Sequence, residues 1–246
     1  MWVEGEVIER TDWCDNLFSL KIKVDIEPYI AGQFIKLSQV INDKRIGRAY
    51  SVVNAPNSDY VEVLAISVLD GLLSPNLQQL KIGDRIEVSG KAAGFMTLEE
   101  VPPQGKDLWL LATGTAVGPF ISILETPEPW ERFENVVLVY GVREAKDLAY
   151  KEKLLQLEKR YPNQFKLLFS VTREYYPNAL EARISTALAS GEIERRLGLE
   201  ITAENAQVML CGNPEMIKDA NNILLEKGLA KNLRRAPGQI TIEKYW

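Results

Sequence analysis

The chain has 246 residues, 46% of them hydrophobic and 26% charged, and a formal net charge of −5. That composition suits a globular chain of one large or two ordinary domains, and the acidic balance argues against nucleic acid, whose phosphates need clustered Lys and Arg. There is no histidine and only Cys14 and Cys211 as cysteines, so zinc, haem–imidazole and iron–sulfur sites and His-dependent hydrolases are excluded.

If this chain is an enzyme, its chemistry belongs to a bound organic cofactor. No metal site is expected. No run approaches the ~20 apolar residues of a membrane span. The start, "MWVEGEVIER", has neither the basic nor the apolar region of a secretory signal. Together with the sparse cysteines, this leads us to expect a cytoplasmic protein with no membrane or nucleic-acid partner.

The first hundred residues read as short strands. "SLKIKVDI" sets Leu20, Ile22, Val24 and Ile26 on one face and Lys21, Lys23 and Asp25 on the other, a period of two. "GQFIKLSQV", "DYVEVLAISV" and "DRIEVSG" are similar, and "RAYS" at 48–51 ends another strand. Turns fall at "VNAPNSD", "LDG" and "KIGD". This spacing predicts a small antiparallel barrel or sandwich. In "DGLLSPNL", Gly71 takes a turn and Ser74 before Pro75 predicts the N-cap of a short helix.

"EEVPPQGKD" breaks the pattern, placing a domain boundary near Val101 to Asp107. Beyond it, apolar strand-like runs alternate with helical stretches. "DLWLLATG" precedes "GPFISILE", "NVVLVYGVR" precedes "DLAYKEKLLQLEKRY", "FKLLFSVTRE" precedes "ARISTALASGEIERRL", and "QVMLCGNP" precedes "EMIKDANNILLEKGL". Four such alternations predict a doubly wound parallel sheet, with ligands at the carboxyl ends of its strands.

At those ends, "ATGTAVGPF" offers Gly114 and Gly118 to an approaching pyrophosphate, although as a G-x-G-x-x-G match it is poor. It reads equally as a tight turn with Pro at a helix start. Arg143, Arg173 and Arg183 are placed to hold a phosphate bidentately, or each is a solvated loop arginine. Cys211 in "CGNP" reads most simply as a small buried hydrophobe. The ending "IEKYW" carries two aromatics suited either to stacking on a flat cofactor or to plugging the core.

Together, "GQF", "RAYS", "GLLSP", "ATGTAVGPF", "VREAKDL", "SVTRE", "CGNP" and "IEKYW" are similar, in order along the whole chain, to the ferredoxin (or flavodoxin)–NADP⁺ reductases, most closely the short bacterial kind ending in Tyr-Trp. The resemblance implies a two-domain fold. Residues 1–101 would be an FAD-binding antiparallel β-barrel, and residues 102–246 an NADP(H)-binding α/β domain whose tail returns to the FAD. It implies Arg48, with Ala49, on the FAD pyrophosphate, Tyr50 on the flavin ring and Ser51 near flavin N5.

Leu64, Ala65, Ile66 and Ser67 would lie beside the flavin, and Leu72, Leu73 and Ser74 at a second pyrophosphate turn. Thr115 would lie near both cofactors, Tyr245 would cover the other flavin face, and Trp246 would stack on adenine. Arg143, Thr172, Arg173 and Arg183 would hold NADP, the last two arginines around its 2′-phosphate, with Gly114, Gly212 and Asn213. Cys211 and Glu243 would flank the nicotinamide, Glu243 as proton donor, so that Ser51, Cys211, Glu243 and Tyr245 form the implied catalytic set. The chain departs from the family at Leu72, where Lys is common, and at Phe95-Met96-Thr97.

The implied activity carries a hydride from NADPH to FAD and single electrons on to a ferredoxin or flavodoxin, from a monomer. For that acidic carrier, "KNLRRAPG" offers Lys231, Arg234 and Arg235, which read equally as a solvated helix end. The alternatives are an NADH-dependent reductase of an oxygenase system and a non-catalytic FAD-binding electron-transfer subunit. A cofactor-free interaction domain would leave the terminal aromatics unexplained.

Overall fold

The structure is a computed structural model describing residues 1–244. The chain forms two compact units, residues 1–97 with 118–126, and residues 98–117 with 127 onward.

The first unit is built on strands β1 (Trp2–Cys14), β2 (Leu17–Lys23), β3 (Phe34–Ile41), β4 (Lys44–Ser51), β5 (Tyr60–Ile66) and β6 (Arg85–Ser89), with helix α1 (Ser74–Gln79) before β6. All pairings are antiparallel, in the order β4-β3-β6-β1-β2-β5. An isolated bridge, Val52↔Val63, and a Val53 N–H bond to Glu62 O at 2.8 Å join the two ends of that order and close the barrel. The alternation expected for β2 is seen, Leu20 and Ile22 entering a core with Val7, Phe18, Ile35, Leu37, Val63 and Val88. Each such side chain contributes about 1.5–3 kcal/mol by leaving water.

β1 was not anticipated. Its register shifts between Val7 and Glu9, and such a bulge reverses the inside–outside phase, so the strand shows no continuous period of two. Ser74 does not cap α1, whose N-cap is Leu73 without a side-chain bond. The Ser74 Oγ instead accepts the Val68 N–H at 3.1 Å and closes the 68–74 turn.

The second unit carries β7 (Asp107–Thr113), β8 (Asn135–Val142), β9 (Phe165–Val171), β10 (Ala206–Gly212) and β11 (Ile240–Lys244), parallel in the order β11-β10-β7-β8-β9. A 3₁₀ turn at Gly114–Val117 leads from β7 into α2 (Gly118–Leu124), which is grouped with the barrel unit. Then come α3 (Glu128–Arg132), α4 (Lys151–Arg160), α5 (Ile184–Ala189), α6 (Glu192–Leu197) and α7 (Pro214–Glu226).

The central strands β7, β8 and β10 are nearly all apolar because both their faces are covered, with Trp109, Leu111, Val137, Val139, Val208 and Leu210 in one core. The third expected helix is two, α5 and α6, broken at Gly191. β11 is a fifth strand not anticipated from "ITIEK". The order reverses between β7 and β10, so the switch point of the sheet lies at the carboxyl ends of these two strands. Among the described residues no helix is long and apolar enough to cross a membrane.

Candidate functional site

In the barrel unit, β4 pairs with β3, setting Leu37 opposite Arg48 and Ile35 opposite Tyr50. Beyond Val52↔Val63 the antiparallel register points Ser51 toward Leu64 and Arg48 toward Ser67, yet no ladder continues there among the described residues. Residues 48–51 and 64–67 therefore form a seam whose facing strand edges carry unused backbone donors and acceptors.

Arg48 and Ala49 are exposed, and the Arg48 guanidinium donates to its neighbour Gly47 O at 2.8 Å. Tyr50 is half-buried against the barrel core, and this burial, slightly offset by Arg48, pushes its phenol up to about 12. Ser51 is buried. Ala65 joins the core and Leu64 is also buried, leaving Ile66 and Ser67 to present side chains outward. In the following turn Leu72 is exposed, Leu73 belongs to the core, and Ser74 is committed to Val68.

In the second unit, two backbone bonds and one to a side chain tie the ends of β8 and β9 together. Arg173 N–H donates to Arg143 O at 2.9 Å and Thr172 N–H to Val142 O at 3.2 Å, while Ala145 N–H reaches the Glu174 carboxylate at 2.6 Å. The loop after β9 returns to the same strand. Val171 N–H donates to Leu180 O at 2.9 Å, Leu180 N–H to Phe169 O at 2.8 Å, and Ser170 Oγ to Ala182 O at 2.8 Å. Arg173 and Arg183 thus open and close one loop, with Arg143 bonded to its entrance. All three side chains are exposed, and none is ion-paired with a carboxylate among the described residues. The glutamates alongside are engaged elsewhere: the Lys146 ammonium holds the Glu144 carboxyl below its ordinary range, with a smaller effect from Arg173.

At the switch point Gly114 has φ 57°, and a Cβ there would meet nothing within 4 Å. Gly118 differs from the expectation that it leaves room for a ligand. A Cβ on it would come 3.3 Å from Val53 Cγ2, so it is small to let α2 approach the end of the barrel strand. Thr115 is buried. Cys211 is fully buried in β10, in register with Ala112 on one side and Glu243 on the other. Burial first and the Glu243 carboxylate second push its thiol well above the ordinary value of 9.0, so it stays protonated. Asn213 caps α7, its carboxamide oxygen accepting Glu215 N–H at 2.8 Å and Met216 N–H at 3.3 Å. Tyr245 and Trp246 lie outside the described residues.

Two cavities on the barrel, of about 670 and 520 Å³, are lined by none of the expected site residues. The expected residues lie instead on open strand edges and strand-end loops. Residues 4–96 match the family model of the oxidoreductase FAD-binding domain and residues 110–222 that of the oxidoreductase NAD-binding domain. The flavodoxin/ferredoxin–NADP reductase of Escherichia coli K12 is 45% identical over 246 residues, covering 100% of this chain and 99% of that protein. The chain belongs to the flavodoxin/ferredoxin–NADP reductase family.

Within that family, the ferredoxin–NADP reductase of Pseudomonas aeruginosa is 34% identical, over 97% of this chain and 95% of its own. A ferredoxin NADP⁺ reductase structure from Neisseria gonorrhoeae, with bound FAD and NADP, superposes with a TM-score of 0.92 at 34% identity, covering 100% of this chain and 99% of that one. The residues of this reductase fit such groups chemically. The barrel seam offers Arg48, Tyr50 and free strand edges, and the second unit offers exposed Arg143, Arg173 and Arg183 on its strand-end loops and, at the switch point, a glycine turn with open space.

Proposed function

We propose that this chain is a flavoenzyme that passes electrons from NADPH through FAD to a ferredoxin or flavodoxin. Residues 1–101 hold FAD, and residues 102–246 hold NADP(H). The observation that carries the nucleotide preference is the set Arg143, Arg173 and Arg183, all exposed and, among the described residues, in no ion pair with a carboxylate, the first two joined by a backbone bond. An anionic 2′-phosphate gains charge-assisted hydrogen bonds there that a ribose diol does not.

When bound, FAD supplies the ability to accept a hydride from NADPH and to release electrons one at a time. The protein supplies position and field. Arg48 neutralises pyrophosphate charge at the seam, with Ala49 and the Leu72–Ser74 turn beside it. Tyr50 offers an aromatic face, Ser51 a buried hydroxyl, and Leu64–Ser67 an apolar wall. Gly114 and Thr115 let the nucleotide backbone approach the switch point, and Thr172, Gly212 and Asn213 line the nucleotide's path. Cys211 stays a neutral thiol and so adds no charge beside the nicotinamide, while Glu243 holds the exchangeable proton. Tyr245 and Trp246 are assigned to the flavin and adenine on the sequence resemblance.

Lys231, Arg234 and Arg235 are proposed as the dock for the acidic carrier. Arg234 and Arg235 form the tip of a tight hairpin, with Lys231 just before it bridged to Ile240, and not a helix end. Leu233 and Ala236 exchange backbone bonds of 3.0 and 2.9 Å, and Asn232 donates to Glu100 O at 2.6 Å. Such a fixed basic tip suits an approach to a chain of net charge −5. The protein is proposed to act as a cytoplasmic monomer, and its two cysteines, neither of them in a disulfide, fit a reducing compartment.

The test is anaerobic titration of the FAD-loaded protein with NADPH and, separately, NADH while the visible spectrum is recorded. Bleaching at far lower NADPH than NADH is expected. Equal bleaching by both would remove the 2′-phosphate role of the arginines, and a protein unable to take up FAD would remove the function.

A further inference from the structure

β7 and β10 end side by side at the switch point, and one side chain links them there. Thr113, the last residue of β7, accepts the Asn213 N–H on its Oγ1 at 2.9 Å. Between them Gly212 has φ 140°, and a Cβ at this position would fall 2.1 Å from the same Thr113 oxygen and 3.0 Å from Thr113 N. The two strand ends therefore interlock, with a hydroxyl filling the space a side chain would need.

Asn213 is fixed from the other direction as the cap of α7. The peptide joining Gly212 to Asn213 is thus pinned on one side by a hydroxyl and on the other by a helix start. Cys211 immediately precedes it, held in register between Ala112 and Glu243. Among the described residues no hydrogen bond joins this turn to the loop between Arg173 and Arg183, although Thr113 also lies opposite Gly141 of β8, near Ile184.

We propose that Thr113 is a positioning residue: its hydroxyl sets the Cys211–Gly212–Asn213 turn so that the nicotinamide end of NADPH is oriented for hydride transfer. This rests on the assignment of that turn to the nicotinamide under Proposed function. It separates two tasks, because orientation depends on Thr113 whereas capture of the nucleotide depends on the arginines.

The experiment compares Thr113→Val, which keeps the shape and loses the acceptor, with Thr113→Ser, which keeps the acceptor, in the full-length FAD-loaded protein. If Thr113→Val does not fold, Thr113→Ala takes its place. Hydrogen exchange over residues 212–216 is expected to quicken in Thr113→Val and not in Thr113→Ser. The rate at which saturating NADPH bleaches the flavin is expected to fall about tenfold in Thr113→Val and to recover in Thr113→Ser. Binding of 2′,5′-ADP, which has the 2′-phosphate and no nicotinamide, is expected to stay within about twofold, since its anchor lies elsewhere.

Wild-type bleaching by Thr113→Val, or a Thr113→Ser as slow as Thr113→Val, overturns the proposal, whatever the exchange shows. Failure of the unaltered protein to bind 2′,5′-ADP overturns the nucleotide-site reading itself and takes the proposal with it.

Discussion

The strand ends of β9 and β10 belong to one sheet and are built on opposite plans. After β9, the loop is anchored through its backbone and through Ser170, while the side chains of Arg173 and Arg183 are left exposed and uncommitted. After β10, the side chains are consumed: Asn213 caps a helix, Thr113 holds Asn213, and Cys211 is sealed in the core. The first end offers cationic side chains with freedom to adapt, and the second offers a fixed surface with no arginine or lysine among Cys211, Gly212 and Asn213. A nucleotide has one end to be caught and another to be aimed, and the two plans match those two needs.

The largest effect should come from stripping the first plan of its charge. Charge-assisted hydrogen bonds contribute about 1.5–3 kcal/mol each, so Arg173→Ala with Arg183→Ala should lower the preference for NADPH over NADH by at least about 100-fold. Titration of the visible spectrum with each nucleotide measures this. Both side chains are exposed, so the melting temperature should not move. A double variant that keeps its preference breaks the comparison.

Gly212→Ala probes the second plan. The methyl group would collide with Thr113 at a φ of 140°, which is costly for any L side chain. Backbone strain of this kind costs about 1–3 kcal/mol, so chemical denaturation should show at least that loss, with 2′,5′-ADP binding retained by the folded fraction. An unchanged stability would mean that the interlock yields easily.

A smaller and slower signal lies in Cys211. In the unfolded chain its thiol ionises near the ordinary value of 9.0, whereas burial keeps it protonated in the folded one. Stability is therefore whole below that pH and falls above it, by up to about 1.4 kcal/mol per pH unit. Tyr50, raised to about 12 in the fold, adds to the fall only from about pH 10. Urea unfolding at pH 7 and 9.5 should show the loss, and Cys211→Ser, which cannot ionise, should flatten it.

Much of this architecture was legible from periodicity. β2 alternates because one face meets water, and β7, β8 and β10 are continuously apolar because neither face does. β1 escaped because its bulge reverses phase in mid-strand. β11 escaped because five residues at a sheet edge, with Thr241, Glu243 and Lys244 polar, carry too short a pattern. Arg143 and Arg173 could be singled out because they follow apolar runs closely, and strand ends are where such sheets bind. Thr113 could not be. A threonine closing a strand is unexceptional until the fold sets its oxygen on an amide one hundred positions away. Ser74 shows the converse, since its N-cap signal was genuine chemistry that a nearer donor, Val68 N–H, captured first.

One further consequence lies in where the chain changes unit. It does so after Thr97, after Val117 and after Thr126, so α2 is supplied to the barrel from within the α/β sequence. Ser122 donates to Asn54 O at 2.8 Å, and Glu125 accepts Ala55 N–H at 3.3 Å. A gene fragment ending near residue 100 would therefore encode a barrel lacking one of its own walls, and the remaining fragment would carry that wall with nothing to cover. The two halves cannot be exchanged as cassettes at a single junction. They are inherited, truncated and recombined together or not at all.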